Sequence, residues 1–189
     1  MERTTTPSSD AFLETARLIL RDKRPGDLSF LAGLSADPRV MRYIGDGRTY
    51  AHDEIEARLA LVLEIERRPG HEPWNGFKII ERKDDGARVG QAGMLRCEID
   101  GKPQVEIGWW LAPEWWGHGY ATEAALALRD YAFAVAGIAE LKVVLQAENR
   151  RSVAVAERIG GVDARLAIYR DQRVTCYTVR PPATTAAAP

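Results

Sequence analysis

The sequence is poor in the residues that mark disulfide-bonded and zinc-binding proteins. It has 2 cysteines in 189 residues, Cys97 and Cys176, which lie far apart and outside any C-x-x-C arrangement. Disulfide frameworks and zinc sites need several cysteines or histidines at short, regular spacing. We therefore expect no disulfide framework and no metal site, and we expect a cytoplasmic protein.

Long apolar runs and an excess of charge of one sign are also missing. No apolar stretch is long enough to span a bilayer, and the polar residues 1–10 lack the apolar segment of a signal peptide. The formal net charge is -1, so no general positive field attracts nucleic acid or an anionic membrane. We expect neither nucleic acid nor a membrane as a partner.

The remaining composition is that of an ordinary globular protein. Hydrophobic residues make up 46% of the chain and charged residues 28%, and 189 residues suit one domain. Residues 1–9 and 181–189 are rich in Thr, Ser, Ala and Pro. We expect them to be disordered tails on either side of a single domain at residues 10–180.

Hydrophobic periodicity predicts alternating groups of strands and helices. The predicted strands cover residues 18–21, 77–81, 89–98, 105–111, 142–146, 164–170 and 175–180. One predicted helix opens at residues 25–27, a short helical turn follows at residues 37–38, and further helices cover residues 52–67, 117–136 and 152–159. This order indicates a mixed α/β fold, with a mostly antiparallel sheet of about seven strands flanked by about four helices.

A glycine-rich turn lies between the strand at residues 105–111 and the helix that follows. Gly117, Gly119 and Ala121 are small, so the backbone there can approach a bulky anion closely. The first N–H groups of a helix lack intrahelical partners, and the helix dipole favours negative charge near them. The pattern predicts a pyrophosphate site, although a turn that only packs helix against strand has the same pattern. A P-loop is excluded because no Gly-Lys-Ser/Thr follows, and the glycine spacing does not fit a dinucleotide-binding fold.

Flanking segments extend this pattern over nearly the whole chain. They are Leu-Glu-Thr-Ala-Arg-Leu-Ile-Leu-Arg at 13–21, Asp-Pro-Arg-Val-Met-Arg-Tyr-Ile at 37–44, Val-Gly-Gln-Ala-Gly at 89–93, Glu-Ile-Gly-Trp-Trp-Leu at 106–111, Gly-Tyr-Ala-Thr-Glu-Ala at 119–124, and Asn-Arg-Arg-Ser at 149–152 with Gly160. In this order they resemble the GNAT superfamily of N-acetyltransferases. They are most similar to its RimJ/RimL branch, the ribosomal-protein N-terminal acetyltransferases.

The resemblance implies that acetyl-CoA is the co-substrate. Backbone N–H groups of residues 117–122 are then expected to bind its pyrophosphate, and the pantetheine to lie where the fourth and fifth predicted strands splay apart. The implied coenzyme A contacts are Trp110, Leu111, Trp116, Gly117, His118, Gly119, Tyr120, Ala121, Thr122, Asn149 and Ser152. Trp116 stands where the superfamily often has Gln or Arg, and we interpret it as a marker of the branch.

Glu106 is the predicted catalytic base. It alternates with Gly108 and Trp110 on one face of its strand, and a carboxylate beside two indoles has a raised pKa. The family often places a base at this position, acting through water. The alternatives are a surface or salt-bridged Glu106, with Glu98 and Glu148 as weaker candidates for the base.

Ser152 is the predicted donor of the proton that the leaving thiolate needs. Many family members use a Tyr further along the same helix, but Val155 or Ala156 stands at that position here. Asn149 has the pattern of a helix N-cap, and the resemblance also implies a pantetheine contact for it. His118 is not expected to act as a base. By family analogy, the acceptor pocket is lined by Tyr43, Tyr50 and residues 170–173.

The sequence therefore predicts acetyl transfer from acetyl-CoA to a primary amine, by direct attack in a ternary complex. The acceptor is a protein N-terminus or a small molecule such as an aminoglycoside, a polyamine or an amino acid. The alternatives are a non-catalytic acyl-CoA-binding module, an enzyme with another donor such as succinyl-CoA, and an unrelated nucleotide-binding domain. Oligomeric state stays open, although homodimers are common in this branch.

Overall fold

A computed structural model describes residues 11–182. The strands are β1 (Ala11–Glu14), β2 (Leu18–Arg21), β3 (Gly76–Arg82), β4 (Arg88–Ile99), β5 (Lys102–Leu111), β6 (Leu141–Leu145), β7 (Gly161–Tyr169) and β8 (Gln172–Val179). The α-helices are α1 (Leu28–Ala36), α2 (Pro38–Met41), α3 (His52–Glu66), α4 (Tyr120–Ala134) and α5 (Arg150–Arg158). The predicted tails at residues 1–9 and 181–189 lie outside the described residues, except for Pro181 and Pro182. No helix between residues 11 and 182 is both long and apolar enough to cross a membrane.

Within the described chain, the strands form one open sheet in the order β1-β2-β3-β4-β5-β6-β8-β7. Neighbouring strands run antiparallel except β5 and β6, which are parallel. The predicted mixed α/β fold with a mostly antiparallel sheet is therefore confirmed. The extra strand is β1, which pairs with β2 because the chain reverses at Thr15. The hydroxyl of Thr15 accepts the Leu18 N–H at 2.9 Å, which closes the reversal.

Strands β5 and β6 separate soon after they meet. Strand β5 pairs with β4 over its whole length, whereas the pairing between β5 and β6 in the described chain is that of Glu106 with Lys142. Strand β6 keeps its other edge on β8 over its whole length. Strands β5 and β6 run in the same direction and pair at Glu106 and Lys142. The parts of both strands that follow this pair, toward their C-termini, therefore border a gap. The predicted splay between these strands is confirmed.

The helix after the glycine turn packs small side chains against the sheet. Its residues that are 0% exposed in the main core are Ala124, Ala125, Leu128 and Ala132. The helix begins at residue 120 and not at 117, because Gly117 and Gly119 have φ of 82° and 81°, outside the helical region. Val135, which lies inside the predicted helix at 117–136, follows the end of α4 at residue 134 and is 68% exposed.

The C-terminal hairpin turns one residue earlier than predicted. The sequence predicts a turn at Asp171 and Gln172, but Gln172 begins β8 and pairs with Tyr169. The turn residues are Arg170 and Asp171, with φ of 49° and 62°. Positive φ at both central positions gives a two-residue turn whose twist matches that of the strands.

Candidate active site

The helix α4 begins on a turn of exposed backbone. Residues 117–119 are exposed, and Gly119 forms the N-cap of α4 in a left-handed conformation. The N–H of Glu123 bonds to the carbonyl oxygen of Gly119 at 3.0 Å, so the N–H groups of residues 120–122 precede the helical ladder. The turn therefore presents N–H donors and the positive end of a helix dipole, which is the chemistry that binds phosphates.

Trp116 ties this turn to the end of β5. Its indole Nε1–H donates to the carbonyl oxygen of Leu111 at 2.9 Å, and the guanidinium of Arg151 lies 4.4 Å from its ring centroid. The indole N–H is thus already used within the protein. At this position the side chain ties the turn to β5, and its N–H is not available to an anion.

Arg17 is a functional candidate that the sequence reasoning missed. Its Nη1–H donates to the carbonyl oxygen of His118 at 3.1 Å, and its guanidinium lies 4.6 Å from the ring centroid of Tyr120. Its Nη2 atom lies 3.5 Å from the place that a Cβ atom on Gly119 would occupy. A cation therefore lies beside the glycine turn. The contact with His118 spans 101 positions, so no local pattern could have indicated it.

Glu123 holds Arg17 in this place. Its carboxylate accepts hydrogen bonds from the Thr15 hydroxyl at 2.6 Å, from the Arg17 N–H at 2.9 Å and from Arg17 Nε at 2.7 Å. Burial raises the pKa of Glu123, but these hydrogen bonds and the charge of Arg17 outweigh burial and lower the pKa below its usual value. The carboxylate is therefore ionised near neutral pH, and the ion pair is maintained.

A cavity of about 430 Å³ occupies the gap between β5 and β6. It brings together four residues of the predicted site: Glu106, Trp110, Asn149 and Ser152. The remaining predicted residues, Leu111 and those of the glycine turn, are not among its lining residues. The structure thus divides the predicted site into an exposed glycine turn and a partly open cavity.

Glu106 lies in the wall of this cavity, half-buried, and its carboxylate accepts a 2.5 Å hydrogen bond from the hydroxyl of Tyr169. Burial raises the pKa of Glu106 above its usual value, although the Tyr169 hydrogen bond and the charge of Arg170 oppose this rise. A raised pKa is what the sequence predicts for this residue. Tyr169 was not foreseen as its partner, because the two residues are 63 positions apart.

Asn149 and Ser152 reach the cavity from the start of α5. Asn149 is the N-cap of this helix, as predicted, and its side-chain oxygen accepts the Ser152 N–H at 3.3 Å. Val155 and Ala156 are 8% and 0% exposed in the main core, so neither offers a polar group to the cavity. The hydroxyl of Ser152 is therefore the proton-donating side-chain group that α5 adds to the cavity wall.

The predicted acceptor residues reach the cavity in part. Tyr43, Tyr50, Arg170 and Gln172 line it, whereas Asp171 and Arg173 do not. The weaker base candidates, Glu98 and Glu148, are exposed and are not lining residues.

His118 is exposed, and its Nδ1 atom lies 3.0 Å from the carbonyl oxygen of Trp116, on the glycine turn. It belongs to the turn and is not a lining residue of the cavity. Within residues 11–182, no group of three or more His, Cys, Asp or Glu side chains is arranged to hold a metal ion.

Residues 17–162 match a family model described as an acetyltransferase (GNAT) domain. The chain is 31% identical over 155 residues to the FsC-acetyl coenzyme A-N(2)-transacetylase of Aspergillus fumigatus. That match covers 78% of this chain and 63% of the fungal protein.

Solved structures share the fold. An acetyltransferase from Agrobacterium tumefaciens str. C58 superposes with a TM-score of 0.73 at 31% identity, over 95% of this chain and 100% of that one. A spermidine N-acetyltransferase from Vibrio cholerae, solved with CoA and spermine, superposes with a TM-score of 0.68 at 20% identity. The superposition covers 88% of this chain and 96% of that one, and we infer from it only that the two proteins share a fold.

Proposed function

This chain belongs to the GNAT family of N-acetyltransferases, and we propose that it transfers the acetyl group of acetyl-CoA to a primary amine. One observation carries the proposal: the gap between β5 and β6 brings Glu106 and Ser152 into one cavity. Direct attack in a ternary complex needs both reactants side by side, a base for the amine and a proton donor for the thiolate. Glu106 and Ser152 are candidates for these two roles.

The described residues fit a coenzyme A thioester. The N–H donors of residues 117–122 suit its pyrophosphate, and Arg17 adds a positive charge beside them. The pantetheine, a narrow chain with amide groups, suits the gap beside Trp110 and Asn149. Bound in this way, the donor would deliver its thioester carbon to the part of the cavity that Glu106 and Ser152 line.

The proposed chemistry conserves protons. Glu106 accepts, directly or through a water molecule, the proton that the ammonium group must lose before it can attack. The nitrogen–carbon bond then forms as the carbon–sulfur bond breaks, and Ser152 gives a proton to the departing thiolate. The nitrogen releases its second proton to solvent as it becomes the amide. Solvent afterwards removes the proton from Glu106 and reprotonates Ser152. The raised pKa of Glu106 makes it a stronger base than an exposed glutamate.

The proposed function includes a domain boundary, a branch of the family and a cellular location. The match over residues 17–162 supports one acetyltransferase domain at residues 10–180. The segment at 37–44 and Trp116 support placement in the RimJ/RimL branch. Free thiols at Cys97 and Cys176 support a cytoplasmic location.

Release of free thiol from acetyl-CoA by the purified protein tests the proposed function. The acceptors are a peptide with a free N-terminus, spermidine, an aminoglycoside and α-amino acids, and succinyl-CoA serves as the alternative donor. We expect thiol release that depends on an amine, together with an acetylated product seen by mass spectrometry. Calorimetric binding of acetyl-CoA without thiol release on any amine would show a non-catalytic module instead.

A further inference from the structure

Arg170 occupies an unusual backbone position at the wall of the cavity. It is the first residue of the β7–β8 turn, with φ of 49°, and it is both exposed and a lining residue. Turns of this kind favour Asn and Gly, because other side chains are strained at positive φ. A long cationic side chain in such a turn therefore suggests that its role lies in the charge that it presents to the cavity.

The guanidinium of Arg170 is available to a ligand. It lies 5.1 Å from the ring centroid of Tyr169 and close enough to Glu106 to lower the pKa of that carboxyl group. Between residues 11 and 182, no carboxylate lies within salt-bridge distance of it. Tyr169 thus has the carboxylate of Glu106 at its hydroxyl and the guanidinium of Arg170 over its ring.

The other carboxylate in the cavity wall is already engaged. Asp46 accepts the N–H of Arg48 at 3.1 Å, and its carboxylate lies 3.7 Å from Arg48 Nε. A polyamine with several ammonium groups would therefore meet Glu106, the carboxylate of the lining that has no salt bridge within residues 11–182, and would be repelled by Arg170. A small molecule with one ammonium and one carboxylate suits this arrangement better, because the two charges of the wall match its own.

We propose that the acceptor is an α-amino acid, whose carboxylate binds Arg170 while its amino group faces Glu106. This inference rests on the proposed acetyltransferase function. The aromatic part of the lining, which includes Tyr43, Tyr50 and Phe77, then surrounds the amino acid side chain. Apolar or aromatic amino acids are the preferred members of the class.

Paired amines that differ only by the carboxylate test the inference. L-phenylalanine is compared with phenethylamine, and L-leucine with isoamylamine, as acceptors of acetyl-CoA. We expect kcat/KM for each amino acid to exceed that of its amine by about tenfold or more, as for a hydrogen-bonded charge pair. Arg170→Gln should remove this preference by lowering kcat/KM for the amino acids alone. The matched control is Arg173→Gln, an exposed cation of the same hairpin that is not a lining residue.

The outcomes separate the inference from the function on which it rests. Equal kcat/KM within each wild-type pair, or higher kcat/KM for spermidine or a peptide N-terminus, would overturn the amino acid assignment and leave the acetyltransferase intact. An equal loss on amino acids and amines in Arg170→Gln would show a structural role for the turn. Absence of thiol release on every amine would instead overturn the proposed function itself.

Discussion

The hydroxyl of Tyr169 donates a hydrogen bond of 2.5 Å to the carboxylate of Glu106. These residues belong to β7 and β5, which are separated in the sheet by β6 and β8. The bond opposes the rise in the pKa of Glu106 that burial causes. Desolvation therefore raises the pKa of the proposed base, while the hydrogen bond from one hydroxyl group and the charge of Arg170 lower it.

Replacement of Tyr169 by Phe should shift the pH dependence of catalysis. The active form of Glu106 is the carboxylate, which the Tyr169 hydrogen bond stabilises over the protonated form. Without this bond the pKa of Glu106 rises, so the acidic limb of the profile of kcat/KM against pH moves to higher pH. The measurement is that profile for the wild type and for Tyr169→Phe.

A merely structural role for Tyr169 would lower the rate at every pH and leave the acidic limb in place. Tyr131→Phe is the matched control, because Tyr131 lies on α4 and packs edge-on against Phe12, not in the cavity wall. The acidic limb of the pH profile of Tyr131→Phe should coincide with that of the wild type. An unmoved limb in Tyr169→Phe would contradict the proposed coupling.

Glu106→Gln should lower kcat by about 10²- to 10⁴-fold, the usual contribution of a general base. The affinity for coenzyme A should stay close to that of the wild type, because the proposed phosphate donors lie on the turn at residues 117–122 and not on β5. Steady-state kinetics and calorimetry measure the two quantities. The control is Glu98→Gln, an exposed carboxylate of the same hairpin, which should keep its activity. Equal losses of turnover and affinity would indicate a structural role for Glu106.

The same variant should gain stability at neutral pH. The pKa of Glu106 is raised in the folded state, so its contribution to stability is fully present below the unfolded-state pKa and is lost as pH rises through the folded-state pKa. Glutamine stays neutral and avoids this loss. We expect the Tm of Glu106→Gln minus that of the wild type to increase from acidic to neutral pH, as measured by calorimetry. A difference that does not change with pH would contradict the raised pKa.

Gly119→Trp should abolish the rise in Tm that saturating coenzyme A causes. A ligand that binds only the folded protein stabilises it, and a bulky side chain on the turn blocks the N–H donors of residues 120–122. Any residue other than glycine is also strained at the φ of 81° found here, which costs about 1–2 kcal/mol. The measurement is the thermal shift with coenzyme A, taken relative to each variant's own Tm.

Gly70→Trp separates the effect of strain from the effect of blocking. Gly70 has φ of 82° and no heavy atom within 4 Å of a Cβ placed there, and it lies in the loop after α3. Its replacement carries the same backbone strain away from the turn, so its thermal shift with coenzyme A should persist. A full shift in Gly119→Trp would refute the assignment of the pyrophosphate site.

Features of the site that depend on local sequence were predictable. The glycine turn and the N-cap at Asn149 follow from turn and capping preferences within a few residues, whereas the start of α4 was predicted three residues too early. The face of β5 that carries Glu106 follows from strand alternation. The splay of the sheet came from family resemblance and not from any pattern within one strand.

The unpredicted contacts join residues that are distant in the sequence. Tyr169 meets Glu106 across 63 positions, and Arg17 meets Glu123 across 106, so only the completed sheet brings them together. The hairpin turn was misplaced by one residue for a different reason. Asp171 signals a turn, but Arg170 adopts positive φ without being a glycine or asparagine, so turn chemistry did not indicate that the turn begins at Arg170.

Asn149→Ala and Ser152→Ala should separate capping from catalysis at the start of α5. Loss of the Asn149 side chain removes the acceptor for the Ser152 N–H, which costs about 1 kcal/mol and lowers Tm by about 2–4 °C. Ser152→Ala keeps that N–H and its cap, so its Tm should stay close to the wild-type value.

If Ser152 supplies the proton to the thiolate, the variant that keeps the wild-type Tm, Ser152→Ala, should be the one that loses turnover. Ser152→Ala then lowers kcat, by about tenfold or more, with little change in the KM for acetyl-CoA. Calorimetry and steady-state kinetics on both variants provide the comparison. Unchanged kcat in Ser152→Ala would assign the proton to water or to a tyrosine hydroxyl of the cavity wall, because Val155 and Ala156 on the same helix are buried and apolar.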